Sequence, residues 1–376
     1  MAADAGVSRA VASRALAGHP SVAATTRERV RRAARDLGYR ASVVARTLSA
    51  GRNAPLRCAV LALGLGTDVL GSTFFGQVLA GLASRAAGES MDIHLVALPG
   101  GEAERADGVR RLAAEDRADG VIVLTSFPLD REDVRPLEEA GVPYVLVNRH
   151  LGDHPAHSVT VHWEDATGDA LRRLTRAGHR ATALLLPEEE NTAVAGRAAG
   201  WAAAARWLAL DPRDAPVLRY PGSTRGPDDA LSQGEAVTRC LLREGLPGTG
   251  RVPTAIVGFN DWCALGVLRA AAAAGVAVPG DLSVIGFDNT LLGAGTTPPL
   301  SSYGPHYVTL GERAAALLAA VLRGEVDAPQ RERVPVDFVA RGSVAPARCL
   351  RSQVPGPKSG VGNRQDLPTR PHLVGT

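Results

Sequence analysis

Side chains able to do covalent or metal chemistry are few and widely spaced in this chain of 376 residues. Cys58, Cys240, Cys263 and Cys349 lie far apart, with no Cys-x-x-Cys pair and no histidine at metal-ligand spacing. Buried free thiols are therefore expected, rather than a disulfide framework or a zinc centre. His154 and His157 flank a proline but are not expected to hold a metal, and Glu188-Glu189-Glu190 reads as a solvated turn. Gly64-Leu65-Gly66 opens no dinucleotide-binding turn, because the next glycine arrives only at Gly71. Lys358 is the only lysine, so nothing resembles a phosphate-cradling loop that ends in Gly-Lys-Ser or Gly-Lys-Thr. Without a catalytic pair, a cofactor fingerprint or a metal set, the chain reads as a non-enzyme that needs no cofactor.

Binding chemistry is better represented. Trp163, Trp201, Trp207 and Trp262 offer flat apolar faces on which a sugar ring could stack. Only Trp262, beside Asn260-Asp261, falls on a predicted pocket loop; Trp201 and Trp207 lie on an alanine-rich helix and are expected to pack into a core. The arginines are unevenly distributed. Residues 1–52 hold ten arginines against three acids, residues 53–346 hold 27 basic against 35 acidic residues, and residues 347–376 hold five against one. A small basic head on an acidic body points to one part that meets a polyanion and another that does something else.

The elements that must position these groups change in character along the chain. In the head, Ser8 can cap the run Arg9–Ala17, Gly18-His19-Pro20 ends it, and Thr25-Thr26-Arg27-Glu28 has capping-box spacing for a helix that Gly38 stops. Short helices joined by a tight turn make a helix-turn-helix layout. From Leu56 onward, short apolar strands alternate with helical patterns. Strand candidates are Cys58–Leu63, Ile93–Leu98, Gly120–Leu124, Pro143–Val147, Ala181–Leu186, Pro216–Tyr220, Pro253–Phe259, Leu282–Phe287 and Val334–Phe338. Strands apolar on both faces argue for parallel sheets covered by helices, and some 290 residues of them make two doubly wound lobes. Ligands of such folds bind beyond the carboxyl ends of the strands, here in the cleft between lobes. The expected organisation is a head over residues 1–38, a hinge helix and linker over 39–55, a two-lobed effector domain over 56–346 and a disordered tail over 347–376. The tail carries no leucine heptad. No basic-then-apolar leader opens the chain, and the uncharged stretch Val69–Ser84 falls short of the ~20 residues a spanning helix needs. A cytoplasmic location is expected by elimination.

The head carries Ala5-Gly6-Val7-Ser8, Ser13-Arg14, Thr26-Arg27-Glu28-Arg29-Val30, Leu37-Gly38-Tyr39 and Ala45-Arg46-Thr47-Leu48. In these motifs and their relative positions it resembles the head of the lactose-repressor/galactose-repressor family of bacterial transcription regulators. The resemblance implies that the helix from Ser8 enters the major groove with Arg9, Ala10 and Arg14 at base edges. An arginine there suits a guanine bidentately, and Ala10 offers an apolar contact to a thymine methyl. Ser8, Ser13, Ser21 and Thr26 would hold phosphates. Residues 43–50 match the family's hinge helix, so Leu48 is the expected wedge into the minor groove of a palindromic operator. Two departures stand out. Met1 falls inside the family's first helix, so residues upstream of it are expected, and Arg40-Ala41-Ser42 replaces the usual Pro-Asn.

The resemblance extends to about Ser343, through Pro253-Thr254-Ala255-Ile256, Asn260-Asp261, Val278–Asp288, Pro298–Ser302 and Arg341-Gly342-Ser343. It implies a periplasmic-binding-protein-like effector domain of doubly wound parallel sheets. Arg197 matches the family's pocket arginine, whose planar fork can hold two adjacent hydroxyls. Asp288, at a strand end, and Asn260 are the expected sugar partners. Asn148 stands where many relatives carry Asp, and Ser72, Phe74, Ser126 and Trp262 complete the candidate set. The expected protein is a homodimeric, ligand-responsive repressor of carbohydrate genes that binds a pseudo-palindromic operator and is released by a mono- or disaccharide. The alternatives are a sugar-binding module with an impaired head, or a regulator answering to a purine or another small molecule.

Overall fold

The computed structural model describes residues 2–16, 21–36, 55–63, 73–98, 101–114, 118–125, 128–221 and 227–347. Leu48, Ser72, Ser126, Cys349 and the expected tail beyond Ala347 lie outside the described residues.

The head contains α1 (Arg9–Leu16) and α2 (Ala24–Asp36). Gly6 adopts φ +60°, a left-handed turn conformation open to glycine, and the chain there closes through Val7 N–H to the Ala2 carbonyl at 3.0 Å. Ser8 then caps α1, its Oγ accepting from Val11 N–H at 3.3 Å. Ala5, Ala12, Ala15, Val22 and Val30 form a small core between the two helices. Because α2 starts at Ala24, Thr25 sits inside its first turn, where Arg27 N–H bonds back to the Ala23 carbonyl. The capping-box reading of Thr25 and Glu28 is thereby corrected.

The remaining elements build two sheets. The first six-stranded sheet comprises β1 (Leu56–Leu63), β2 (Met91–Leu98), β3 (Gly120–Thr125), β4 (Tyr144–Val147), β5 (His157–Val161) and β11 (Arg331–Val334), in the order β11-β5-β4-β3-β1-β2. Its helices are α3 (Thr73–Glu89), α4 (Glu102–Ala114), α5 (Arg131–Glu139) and α11 (Tyr307–Arg323). The second sheet comprises β6 (Thr182–Pro187), β7 (Val217–Tyr220), β8 (Ala255–Val257), β9 (Ser283–Phe287), β10 (Ser301–Pro305) and β12 (Val336–Val339), in the order β12-β10-β9-β8-β6-β7. Its helices are α6 (Trp163–Arg176), α7 (Thr192–Trp207), α8 (Pro227–Glu244), α9 (Asp261–Ala273) and the short α10 (Leu291–Ala294). Strands β3, β4, β6, β8 and β9 are buried along their whole length, as helix cover on both faces requires.

The two orders are the same permutation. Each sheet is wound from a first strand that pairs in parallel with the second and the third, so each has its switch point at the corresponding place, β1/β3 and β6/β8. The final strand of the second sheet, β12, runs antiparallel to β10. The chain divides into two compact units, one holding the first sheet and the other the second, and passes from one to the other after Thr160, His306 and Glu332. Within each unit, neighbouring helices touch backbone to backbone through glycine. A Cβ on Gly81 of α3 would stand 1.9 Å from the Val308 carbonyl oxygen of α11, and one on Gly266 of α9 would stand 2.1 Å from that of Leu231 in α8.

Among the described cysteines, Cys58, Cys240 and Cys263 are free thiols, and burial pushes Cys58 and Cys263 up to about 12, out of the reactive range. No described helix is long and apolar enough to cross a membrane.

Candidate functional site

Arg197 and Asp288, two of the candidate effector groups, both belong to the second unit. Asn191 opens α7 by accepting from Ala193 and Val194 N–H at 3.0 and 3.1 Å, which sets the helix so that Arg197, one turn in, points into the unit. Arg197 is 2% exposed. Its guanidinium carbon lies 3.6 Å from the centre of the Trp163 ring, 4.5 Å from that of Phe259 and 4.7 Å from that of Phe287. One amino group donates to the Ala193 carbonyl at 3.0 Å. Three aromatic faces thus hold a planar cation in one orientation, by quadrupole attraction that strengthens where water is excluded. Phe287 is the last residue of β9, so the ring that packs on Arg197 also delivers the chain to Asp288.

Asp288 and Asn289 both take left-handed conformations, with φ +97° and +51°. Asp288 N–H donates to the Tyr303 carbonyl and Asn289 N–H to Ser302 Oγ, at 2.8 and 3.0 Å. Arg341 binds Asn289 Oδ1 and, at 2.7 Å, the Leu300 carbonyl. Below this turn lies Asp261, the first residue of α9 and fully buried. One of its oxygens accepts from Thr290 N–H and Oγ–H at 2.6 and 2.9 Å, and the other from Ser302 Oγ–H at 2.6 Å. Gly286 leaves the room: a Cβ there would stand 2.2 Å from the carboxylate. Burial, reinforced by the charge of Asp288 and opposed by the three donors, raises the Asp261 carboxyl to about 7. Sequence reading passed over Asp261, because its neighbour Asn260 offers the more familiar donor-acceptor side chain. The visible clue was the glycine at 286 with Thr290 and Ser302, small and hydroxylic residues around one buried acid.

The other candidates are placed as follows. Asn260 caps α9, its Oδ1 accepting from Cys263 N–H at 2.9 Å. Trp262 is half-buried against the core of the second sheet. Trp201 is a core residue, its indole N–H donating to the Ala215 carbonyl at 2.8 Å. Trp207 is not: it ends α7 with 73% of its surface exposed, which corrects the expectation that it packs inside. Trp163, which sequence reading left off the pocket, is the ring closest to Arg197. In the first unit, Asn148 follows β4, is buried, and takes φ +55°; its N–H donates to the Val159 carbonyl at 2.8 Å. Strand β4 holds in the first sheet the place that β9 holds in the second, so Asn148 and Asp288 are equivalent positions of a repeated fold. Phe74, near the start of α3, meets Tyr307 edge to face with ring centres 4.9 Å apart. His154 engages Glu138, and His157 Nδ1 accepts from Gln330 N–H at 3.2 Å, so the two imidazoles serve separate contacts.

In the head, Ala12 and Ala15 face inward, whereas Ser8, Arg9, Ala10 and Arg14 are exposed along α1 and Ser21 is exposed before α2. Thr26 is half-buried on α2; the Ser13 side chain lies outside the described residues. Arg14 folds back so that its Nε donates to the Ala10 carbonyl at 3.3 Å. The exposed strip of α1 is small enough at Ala10 for close approach and flanked by cations, a surface suited to a nucleic-acid groove.

A helical arginine-rich head followed by two doubly wound units defines the class of bacterial regulators with a periplasmic-binding-protein-like body. Residues 1–42 match the bacterial regulatory proteins of the lacI family, and residues 171–344 match the periplasmic binding protein-like domain. The chain is 31% identical to the lactose operon repressor of Escherichia coli (strain K12) over 342 residues, covering 90% of this chain and 87% of that protein. Two solved structures resemble it, each with a TM-score of 0.65. One, the complex of the transcriptional regulator CelR with cellobiose, is 26% identical and aligns with 91% of this chain and 98% of its own. The other, the lac repressor dimer bound to operator and the anti-inducer ONPF, is 28% identical and aligns with 92% and 97%. The chain belongs to the lacI family and is a DNA-binding transcriptional regulator.

Proposed function

We propose that this regulator is a repressor whose effector is a neutral mono- or disaccharide held at the strand ends of the second unit. The observation that carries the reading is the Arg197 fork fixed between Trp163, Phe259 and Phe287, in the same unit as the Asp288 carboxylate. A guanidinium donates to hydroxyl oxygens and a carboxylate accepts from hydroxyls, so the pair reads vicinal polyol groups and together carries no net charge. The cellobiose complex of a relative supports a sugar as the ligand class. Asn260 and Trp262 border the same strand ends, and Ser72, Phe74, Ser126 and Asn148 are the candidates from elsewhere in the chain. In the head, Arg9, Ala10 and Arg14 meet base edges, Ser8, Ser13, Ser21 and Thr26 meet phosphates, and Leu48 is the minor-groove wedge.

A mobility shift on a palindrome with a central CG step, at low salt, with and without a panel of sugars, tests the whole reading. A retarded band that one sugar dissolves is the expected result; no band under any condition would sink it. Leu48→Ala should weaken specific operator binding while leaving sugar affinity unchanged.

A further inference from the structure

The groups around Asp261 form a directed network. Asn289 N–H donates to Ser302 Oγ, Ser302 Oγ–H donates to Asp261, and Thr290 donates twice to the other carboxyl oxygen. Gly293 N–H in turn donates to Thr290 Oγ1 at 3.0 Å. Every arrow ends on one buried acid, and the segment it ties down is the turn that carries Asp288. We propose that Asp261 is a positioning residue of the effector site, holding the Asp288–Thr290 turn closed through its hydrogen bonds with Thr290 and Ser302. This rests on the reading that Asp288 faces the effector.

Ionisation of Asp261 loosens the turn. The three donors favour the carboxylate, yet burial and the negative charge of Asp288 outweigh them, so the carboxyl sits at about 7 in the closed turn against an ordinary 3.8. Opening the turn hydrates Asp261 and returns it toward the ordinary value. Ionisation therefore favours the open turn by linkage. The charged groups bordering the network are Asp288, which acts on Asp261 directly, and Arg341, which is engaged by Asn289 and the Leu300 carbonyl. From β10 the Ser302 hydroxyl faces the acid, and at the start of α10 the Thr290 hydroxyl and backbone N–H do. Between 3.8 and about 7 the opening constant rises by about tenfold per pH unit and flattens above.

The test is hydrogen exchange of the full chain without ligand, followed by mass spectrometry on peptides spanning residues 287–294 and corrected for intrinsic exchange, from pH 5 to pH 8. Wild type should lose protection there by about two orders of magnitude, with the break near pH 7. Asp261→Asn keeps the shape, with its carbonyl toward Thr290 and its amide toward Ser302, and should give a flat profile. Ser302→Ala removes one donor to the carboxylate and should move the break to higher pH. A flat wild-type profile, or the same slope in Asp261→Asn, would overturn the assignment. Titration with cellobiose at pH 6 and pH 8 forms a separate arm. Tighter binding at pH 6 in wild type and equal binding in Asp261→Asn are expected. No response to cellobiose at either pH counts against cellobiose as the effector, and the exchange profile still judges the anchor because it needs no ligand.

Discussion

Replacing Arg197 by Met should separate stability from effector response. The side chain is 2% exposed, so the wild-type fold bears the cost of a dehydrated guanidinium, several kcal/mol in effective terms. Against that stand the stacking on Trp163 and its two neighbouring rings, worth about 2 kcal/mol when desolvated, and polar contacts that include a charge-assisted bond to the Ala193 carbonyl, worth about 1.5–3 kcal/mol. Methionine lacks the charge, fills much of the same volume and returns sulfur-aromatic contacts of about 0.3–1.5 kcal/mol. The opposing contributions nearly cancel, so unfolding free energy should stay within about 2 kcal/mol of wild type. Ligand binding has no such compensation. Losing two hydrogen bonds from a charged donor removes about 3–6 kcal/mol, a drop in sugar affinity of two to four orders of magnitude. Urea unfolding measures the first quantity; mobility shift against the responsive sugar measures the second. A variant that fails to fold would make Arg197 a structural residue, and one that still releases the operator at the wild-type sugar concentration would remove it from the site.

His179 and Gly266 give independent checks on the second unit. The buried His179 bridges Thr254 Oγ1 and the Ala345 carbonyl at 2.9 and 3.0 Å, and burial lowers its pKa below the ordinary 6.5. An imidazole held neutral in the fold contributes stability that is present above pH 6.5 and lost as pH falls below it. His179→Gln should therefore lose less stability than wild type between pH 7.5 and pH 5 in urea titrations; equal losses would refute the clamp. Gly266→Ala forces a methyl 2.1 Å from the Leu231 carbonyl oxygen and 2.6 Å from Glu235 N, backbone atoms that must move with their helix. A loss of about 1–3 kcal/mol is expected, read as a lower urea midpoint, and an unchanged midpoint would contradict the close approach of α8 and α9.

What was legible in the sequence depended on how much of each feature is local. Cys58–Leu63, Gly120–Leu124 and Leu282–Phe287 were readable as strands because a strand covered on both faces is apolar at every position. His157–Val161 and Ser301–Pro305 were not, since they are five-residue strands that begin with His or Ser, and their burial is set by partners far away in sequence. The repeat of one winding order in two sheets was equally invisible, because topology can be repeated with no shared residue pattern. Arg197 and Asp288 were found through family resemblance. The rings that fix Arg197 come from positions 163, 259 and 287, brought together only by the fold. Asp261 was missed for a related reason: its role depends on Thr290 and Ser302, 29 and 41 residues away.

The repeated fold makes its own prediction about charge. Asn148 and Asp288 follow equivalent strands and both take positive φ, a conformation that asparagine adopts more readily than most residues. Asp288→Asn should therefore fold, and two consequences can be read apart. Its carbonyl still accepts from a sugar hydroxyl, but a neutral acceptor contributes about 1 kcal/mol less than a charged one, so sugar affinity should fall about five- to tenfold rather than vanish. Meanwhile the charge that opposes ionisation of Asp261 is gone, so the break in the exchange profile of residues 287–294 should move below pH 7. If affinity falls while the break stays, Asp288 serves the ligand alone and exerts no hold on the anchor. If the break moves while affinity is unchanged, Asp288 serves the turn and leaves the sugar to other residues. Only both changes together fit a turn in which one carboxylate meets the effector and tunes a second that holds the first in place.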